Sequence, residues 1–286
     1  MADDWVGEDT SVAEIEREIA RLRDATSREG SQPILRTSVM THVAWVPPEW
    51  KGAAEGTLAG MAERHPSRTL LLFPTPGEPD GLGAKVSVRC FPIGDSAVCG
   101  EVIELALRGN RSLAPASIVL PLLISDLPVF CRWRGQPPFG DPVLDQLVEI
   151  TDRLIVDSAE WGELRLDDLA TLFERTAVSD LAWARTMPWR LALAGYWPSI
   201  REQEIHVAGP PAEGELLRGW LAARLDRAVR RLEKADSIAV RLGGEEVRLP
   251  TGAASLTGSP SDLLSAELDR YGPDPIYEEA VRAAAA

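Results

Sequence analysis

His42, His65 and His206 are the chain's three histidines, and none has a cysteine, a second histidine or a carboxylate at the spacing a metal ion needs; no C-x-x-C pair exists either. A metal site is therefore not expected. His42 falls in an alternating strand pattern, which reads as a satisfied structural histidine. GLGAKV at 81 to 86 begins like a dinucleotide fingerprint, but Val86 stands where the third glycine belongs and a strand follows where a helix should open. It reads instead as a Pro/Gly loop, PTPGEPDGLG, ahead of that strand. The acidic pairs Asp167-Asp168 and Glu245-Glu246 could serve acid/base chemistry only beside a nucleophile, and neither has one; a helix start and a solvated hairpin edge account for them. Cys90 and Cys99 sit at facing ends of two expected antiparallel strands, within reach of each other as a redox pair, although two small apolar residues in a reduced protein is the favoured reading. No nucleophile elbow or phosphate-binding P-loop is present. No catalytic residue and no cofactor is assigned.

The densest chemistry lies in VSDLAWARTMPWR, residues 178 to 190. Ser179 can cap a short helix, and Met187-Pro188 should interrupt it, because residues before proline avoid the α region while proline fits the first turn of a new helix. Two short helices meeting at an elbow are expected. If the turn is nearly continuous, Arg185 and Trp189 lie four apart and can stack as a cation–π pair. Two readings stand side by side. Trp183 and Trp189 are core rings locking the elbow, with Asp180 and the arginines bridging locally; or Asp180, Trp183, Arg185, Trp189 and Arg190 form a contact surface, since Trp and Arg dominate binding hot spots. A second cluster, CRWRGQPPFGDP at 131 to 142, places Trp133 and Arg134 directly after a strand, where binding loops are often carried.

The elements that must position these groups follow from periodicity. Ser11 with Glu14 reads as a capping box for a helix carrying Val12, Ile15, Ile19 and Leu22. Strands are expected at 35–46, 69–73, 85–91, 102–107, 129–133 and 153–158, with helices at 49–65 and 142–152 between them. SIVLPLLISDLPVF, 117 to 130, reads as buried strand and loop and is too short to span a bilayer. Strands interleaved with helices give an α/β fold, a layered mixed sheet with flanking helices, antiparallel around 85 to 107. The rhythm changes after Trp161 and Gly162. LRLDDLATLFERT reads as helix, EIHVAG as a strand, and one long helix should carry Leu217, Leu221, Leu225, Val229 and Leu232. IAVRLGGEEVRLP reads as a hairpin turning at Gly243-Gly244. The expected organisation is an N-terminal helix and linker at 1–30, an α/β domain at 31–160 and a smaller α+β domain at 161–286, with a flexible tail after 272.

Hydrophobic residues at 45% and charged residues at 26% are those of a folded globular protein. A net charge of −14 repels phosphate backbones and anionic lipid, so neither nucleic acid nor membrane is an expected partner. The acidic start lacks the basic end and apolar run of a signal peptide, and three cysteines do not make a secreted disulfide scaffold. A cytoplasmic location fits.

VLPLLISDLPVFCRWRG, RTSVMTHVAWVP, TDRLIVDSAEW and above all VSDLAWARTMPWR resemble the corresponding blocks of the OpcA family, the glucose-6-phosphate dehydrogenase assembly proteins of actinobacteria and cyanobacteria. The similarity runs from about residue 34 to 250, with the blocks in the family's order. The resemblance implies a non-catalytic partner of the oligomeric dehydrogenase of the oxidative pentose phosphate pathway, needed for its assembly or full activity. On that reading Trp183, Arg185, Trp189 and Arg190, with Trp133 and Arg134, lie at or brace the contact surface, and activation is a matter of linkage. A reading from another class is a sugar-phosphate-binding protein or small-molecule enzyme of α/β fold, gripping phosphate with Arg132, Arg134 or Arg36. A third is a scaffold that only stabilises the enzyme oligomer.

Overall fold

The computed structural model describes residues 4–29, 34–35, 38–59, 64–93, 95–249 and 258–286. Arg36 and Pro250 lie outside them. The chain forms two compact units, Met1–Leu154 and Ile155–Ala286.

The first unit is built on a mixed sheet. Its long hairpin joins β5 (Gly81–Ile93) to β6 (Ser96–Arg108), antiparallel from Gly81↔Arg108 to Ile93↔Ser96. β1 (Trp5–Gly7) extends the sheet antiparallel to β5, and β2 (Ile34–Leu35) pairs parallel with β6. On the other side of β6 the strands become parallel: β4 (Arg68–Thr75), then β3 (Thr41–Trp45), then β7 (Val129–Trp133). The sheet continues to β8 (Arg153–Val156), in which the chain passes to the second unit.

Every residue of β3 and β7 is buried, as in parallel strands covered on both faces. α1 (Val12–Glu29) buries Ile15, Ile19 and Leu22 along one stripe, and the Glu14 amide bonds to Ser11 Oγ at its start. α2 (Lys51–Ala59) packs Ala54 against Ala44, Val46 and Leu71. The segment expected as strand and loop is in part a helix, α3 (Ala116–Leu122), burying Ile118, Val119 and Leu122. A short apolar run does not distinguish the two by periodicity. α4 (Pro142–Glu149) is capped by Asp141, whose carboxylate accepts from the Val143 amide.

The second unit opens with α5 (Leu166–Ala170), β9 (Ala177–Asp180), α6 (Leu181–Arg185) and α7 (Met187–Ala194). Asp167 and Asp168 lie in the first turn of α5, as expected. A four-stranded sheet follows, in which β10 (Ile205–Gly209) pairs parallel with β11 (Arg230–Lys234) and antiparallel with β12 (Ala239–Leu242), which turns into β13 (Glu245–Glu246). Gly243 and Gly244, at φ 58° and 92°, make the expected hairpin turn.

α8 (Pro211–Leu225) lays Leu217, Leu221 and Leu225 on Val207, Val240 and Leu242. It is shorter than its apolar spacing suggests: Asp226 takes a left-handed conformation at φ 52° and ends it, so Val229 and Leu232 belong to the β11 region and not to the helix stripe. The Ala-rich C-terminus, expected as a flexible tail, is α10 (Pro275–Ala285), preceded by α9 (Pro260–Leu268). Asp274 caps α10 by accepting from the Ile276 and Tyr277 amides, and Tyr277, Ala280 and Val281 are wholly buried. Tyr277, Ala280, Val281 and Ala284 recur at helical spacing, a stripe built mainly of small residues, and with this cap and alanine's high helix propensity it makes the segment a packed helix. α10 packs on α8 at Gly219, where a methyl group would sit 2.7 Å from Ala284 Cβ and overlap the Ala280 carbonyl.

Candidate functional site

The elbow expected from VSDLAWARTMPWR is present, but its cap is Asp180 and not Ser179, which belongs to β9. Asp180 is 1% exposed and accepts from the Ala182 amide at 2.8 Å, the Ser158 amide at 3.0 Å and Ser158 Oγ at 2.6 Å; Tyr277 Oη stands 3.5 Å from its other side. Burial and the neighbouring Asp157 carboxylate raise the Asp180 pKa to about 7, against the pull of those donors. Between its ordinary carboxylate value and about 7, the folded chain therefore holds a proton that the unfolded chain has lost. Stability from this group falls as pH rises through that window and levels off above it. The melting temperature is expected to drop between about pH 4 and pH 7, with the drop reduced in Asp180→Asn, whose amide keeps the acceptor at the cap; thermal scans across pH test this.

Trp183 is 2% exposed and donates from Nε1 to Asp274 at 3.3 Å, with its ring 5.8 Å from that of Tyr277. The cation on its face is Arg190, whose guanidinium carbon lies 3.5 Å from the ring centroid. The two residues lie on α6 and α7, and the elbow at Thr186 brings the guanidinium onto the ring. Arg190 also donates to Thr186 Oγ1 at 3.0 Å and to the Trp183 carbonyl at 3.4 Å. Burial lowers its pKa to about 10, which leaves it cationic at neutral pH.

The expected stacking of Arg185 on Trp189 is not formed. Arg185 grips Asp157 with two bonds, at 2.6 and 3.0 Å, and donates from Nε to Glu213 at 2.7 Å. Burial opposes its charge, but the bonds and charges of the two acids outweigh that and raise its pKa. Charge-assisted bonds to two carboxylates hold a guanidinium better than one ring face does. Trp189 is partly buried against the core that contains Leu193 and Ile200. The cluster around Asp180, Trp183, Arg185 and Arg190 is thus a brace within the second unit.

In the first unit Trp133 is buried and stacks on Trp45 at 5.0 Å, and Arg134, 8% exposed, lies 5.2 Å from the Trp50 ring. Arg132 is also buried and donates to the Trp133 carbonyl. His42, expected to be a satisfied structural histidine, is buried with no hydrogen bond at either ring nitrogen. Burial, then the charges of Arg132 and His65, lowers its pKa to about 4 and keeps it neutral. Gly81 to Val86 belong to β5, so the strand starts earlier than the loop reading placed it. Among the described residues no group of three His, Cys, Asp or Glu side chains is arranged to hold a metal ion.

Cys90 and Cys99 face each other across the β5–β6 hairpin and are joined by a disulfide, which corrects the reading of two reduced thiols. Cys131 is reduced and wholly buried, and burial pushes its pKa up to about 12. Alkylation of the oxidised folded protein is accordingly expected to label no cysteine, and reduction under native conditions to expose two; intact mass after each treatment checks both outcomes.

A surface that the sequence reading passed over follows α7. Leu191, Tyr196 and Trp197 are 56%, 40% and 54% exposed, and the Arg201 guanidinium carbon lies 5.3 Å from the Trp197 ring. Solvent-facing large apolar side chains gathered within seven residues, beside a cation, are the composition of a contact patch. The available signal was GYWPS: two large aromatics between glycine and proline, just past a helix end.

Two family models cover most of the chain. One, described as the glucose-6-phosphate dehydrogenase subunit N-terminal domain, matches residues 59–174, and the other, the corresponding C-terminal domain, matches 176–281. A putative OxPP cycle protein OpcA of Nostoc punctiforme is 31% identical over 185 residues, 58% of this chain and 39% of that protein. Proteins of the same description from Synechocystis sp. and Synechococcus elongatus are 26% and 28% identical, over 62% and 58% of this chain and 40% and 41% of their own length. The matched part of the chain spans about two fifths of these relatives.

Proposed function

This chain belongs to the OpcA family of glucose-6-phosphate dehydrogenase assembly proteins, and from that premise we propose that it is a non-catalytic partner of the dehydrogenase in the oxidative pentose phosphate pathway. It binds the enzyme oligomer, favours its active state, and uses the Leu191, Tyr196 and Trp197 surface to do so. The observation that carries this reading is the contrast inside one unit: Asp180, Trp183, Arg185 and Arg190 are tied into a fixed network, while a few residues further on two aromatic rings stand in solvent. Pre-organised anchors lose little entropy on docking. Trp189, half-buried on the core, and the buried Trp133 and Arg134 act as supports in their own units.

Activation then requires only that the chain bind one arrangement of the enzyme better than another. A difference of about 1 to 3 kcal/mol alters substrate affinity roughly 5- to 150-fold. A partner that merely stabilised the oligomer would instead raise the enzyme's resistance to dissociation with the same dependence on substrate. Sedimentation of the dehydrogenase with and without the chain, beside its rate against glucose 6-phosphate, separates the two: activation predicts a changed half-saturation at constant oligomer size. No helix among the described residues is long and apolar enough to cross a membrane.

A further inference from the structure

Behind the Arg185 brace lies a cavity of about 750 Å³. Its wall includes Trp161, Leu164, Pro210, Glu213, Arg218 and Lys234. That volume lies in the range of small-ligand sites. Glu213 is 6% exposed, and only one of its carboxylate oxygens is used, by Arg185; the other, Oε2, is buried with no hydrogen-bond partner. A buried acceptor without a donor is destabilising, the more so when it is charged, so the oxygen calls for a donor.

The charges say which donor. Arg185 is one cation shared between two carboxylates, Asp157 and Glu213. Arg218 is engaged by Glu215 at 2.6 Å and by the Ala284 carbonyl at 2.9 Å. No side chain caps α8, and its amino-terminal end would ordinarily favour an anion. Glu213, in the first turn, already supplies that negative charge. Three carboxylates, Asp167, Glu213 and Glu215, line the cavity with two cations, Arg218 and Lys234, and neither cation donates to Glu213 Oε2; what that oxygen lacks is an N–H donor from a positive group, to which the Trp161 ring and two prolines offer an apolar wall.

We propose that this cavity receives a basic side chain, a guanidinium or ammonium, from the bound dehydrogenase, with Glu213 Oε2 as its acceptor. The inference rests on the partnership proposed above, and its first test does not need the enzyme. N-acetyl-arginine methylamide is titrated into the isolated full chain and followed by NMR and tryptophan fluorescence. Saturable binding is expected, weakened at least tenfold in Glu213→Gln. Ala285→Trp, a substitution at an exposed position on the cavity rim, should block it while leaving Arg185 and its acids untouched. In the complex, Ala285→Trp is expected to lower affinity for the dehydrogenase about tenfold. No response to the arginine probe, or binding of inorganic phosphate or glucose 6-phosphate in its place that Ala285→Trp abolishes, overturns the assignment. If the probe binds as described but the chain ignores the dehydrogenase, the cavity's cation preference stands and the proposed partner falls.

Discussion

Arg185→Ala is expected to destabilise the second unit by about 3 kcal/mol, because it strips the cation from two largely buried carboxylates. Asp157 and Glu213 have side chains only 11% and 8% exposed, and Arg185 itself is 27% exposed, which argues for the lower end of what breaking a buried pair costs. With the cation gone, Asp157 loses both guanidinium bonds and, among the described residues, keeps only the Ala159 amide as a donor, beside the neighbouring Asp180. Arg185→Lys keeps a charge and loses the planar fork that holds both oxygens of Asp157, so it should recover only part of the loss. Urea unfolding of the wild type and both variants measures this. A change below about 0.5 kcal/mol in the alanine variant, the size typical of an ordinary surface substitution, would mean that the brace does not support the fold.

Trp197→Ala should do the opposite: leave stability nearly unchanged and remove much of the binding. The ring is 54% exposed and its recorded partner is Arg201, so truncation opens no cavity in the core. Buried at the centre of an interface, a tryptophan is a hot spot whose loss costs about 2 kcal/mol or more, roughly a thirtyfold fall in affinity. Tyr196→Ala and Leu191→Ser at the same surface should weaken binding less, and a titration calorimeter reads all three. Equal affinity for wild type and Trp197→Ala would move the contact to another face.

These two substitutions also mark where the sequence could be read and where it could not. The elbow was legible because proline and its preceding residue constrain backbone angles whatever surrounds them. The alternation of strands and helices, the long antiparallel hairpin and the Gly243-Gly244 turn were legible for the same local reason. The destination of Arg185 was not. Its partners lie 28 residues away on either side, at Asp157 and Glu213, and only the fold brings them together. Burial was equally hidden, since Trp183 and Trp197 are the same residue type within fifteen positions, one in the core and one in solvent. The C-terminal helix was missed because a small-residue face needs Gly219 opposite it to be recognised as a packing surface.

Under the proposed function the chain changes the dehydrogenase by binding it. The most direct test is the enzyme's initial rate against glucose 6-phosphate as purified chain is added, with the chain alone as the blank. A saturable shift in half-saturating substrate, no turnover by the chain by itself, and loss of the shift with Trp197→Ala are expected. A rate that stays constant up to saturating chain, or product formed by the chain without the enzyme, would contradict it.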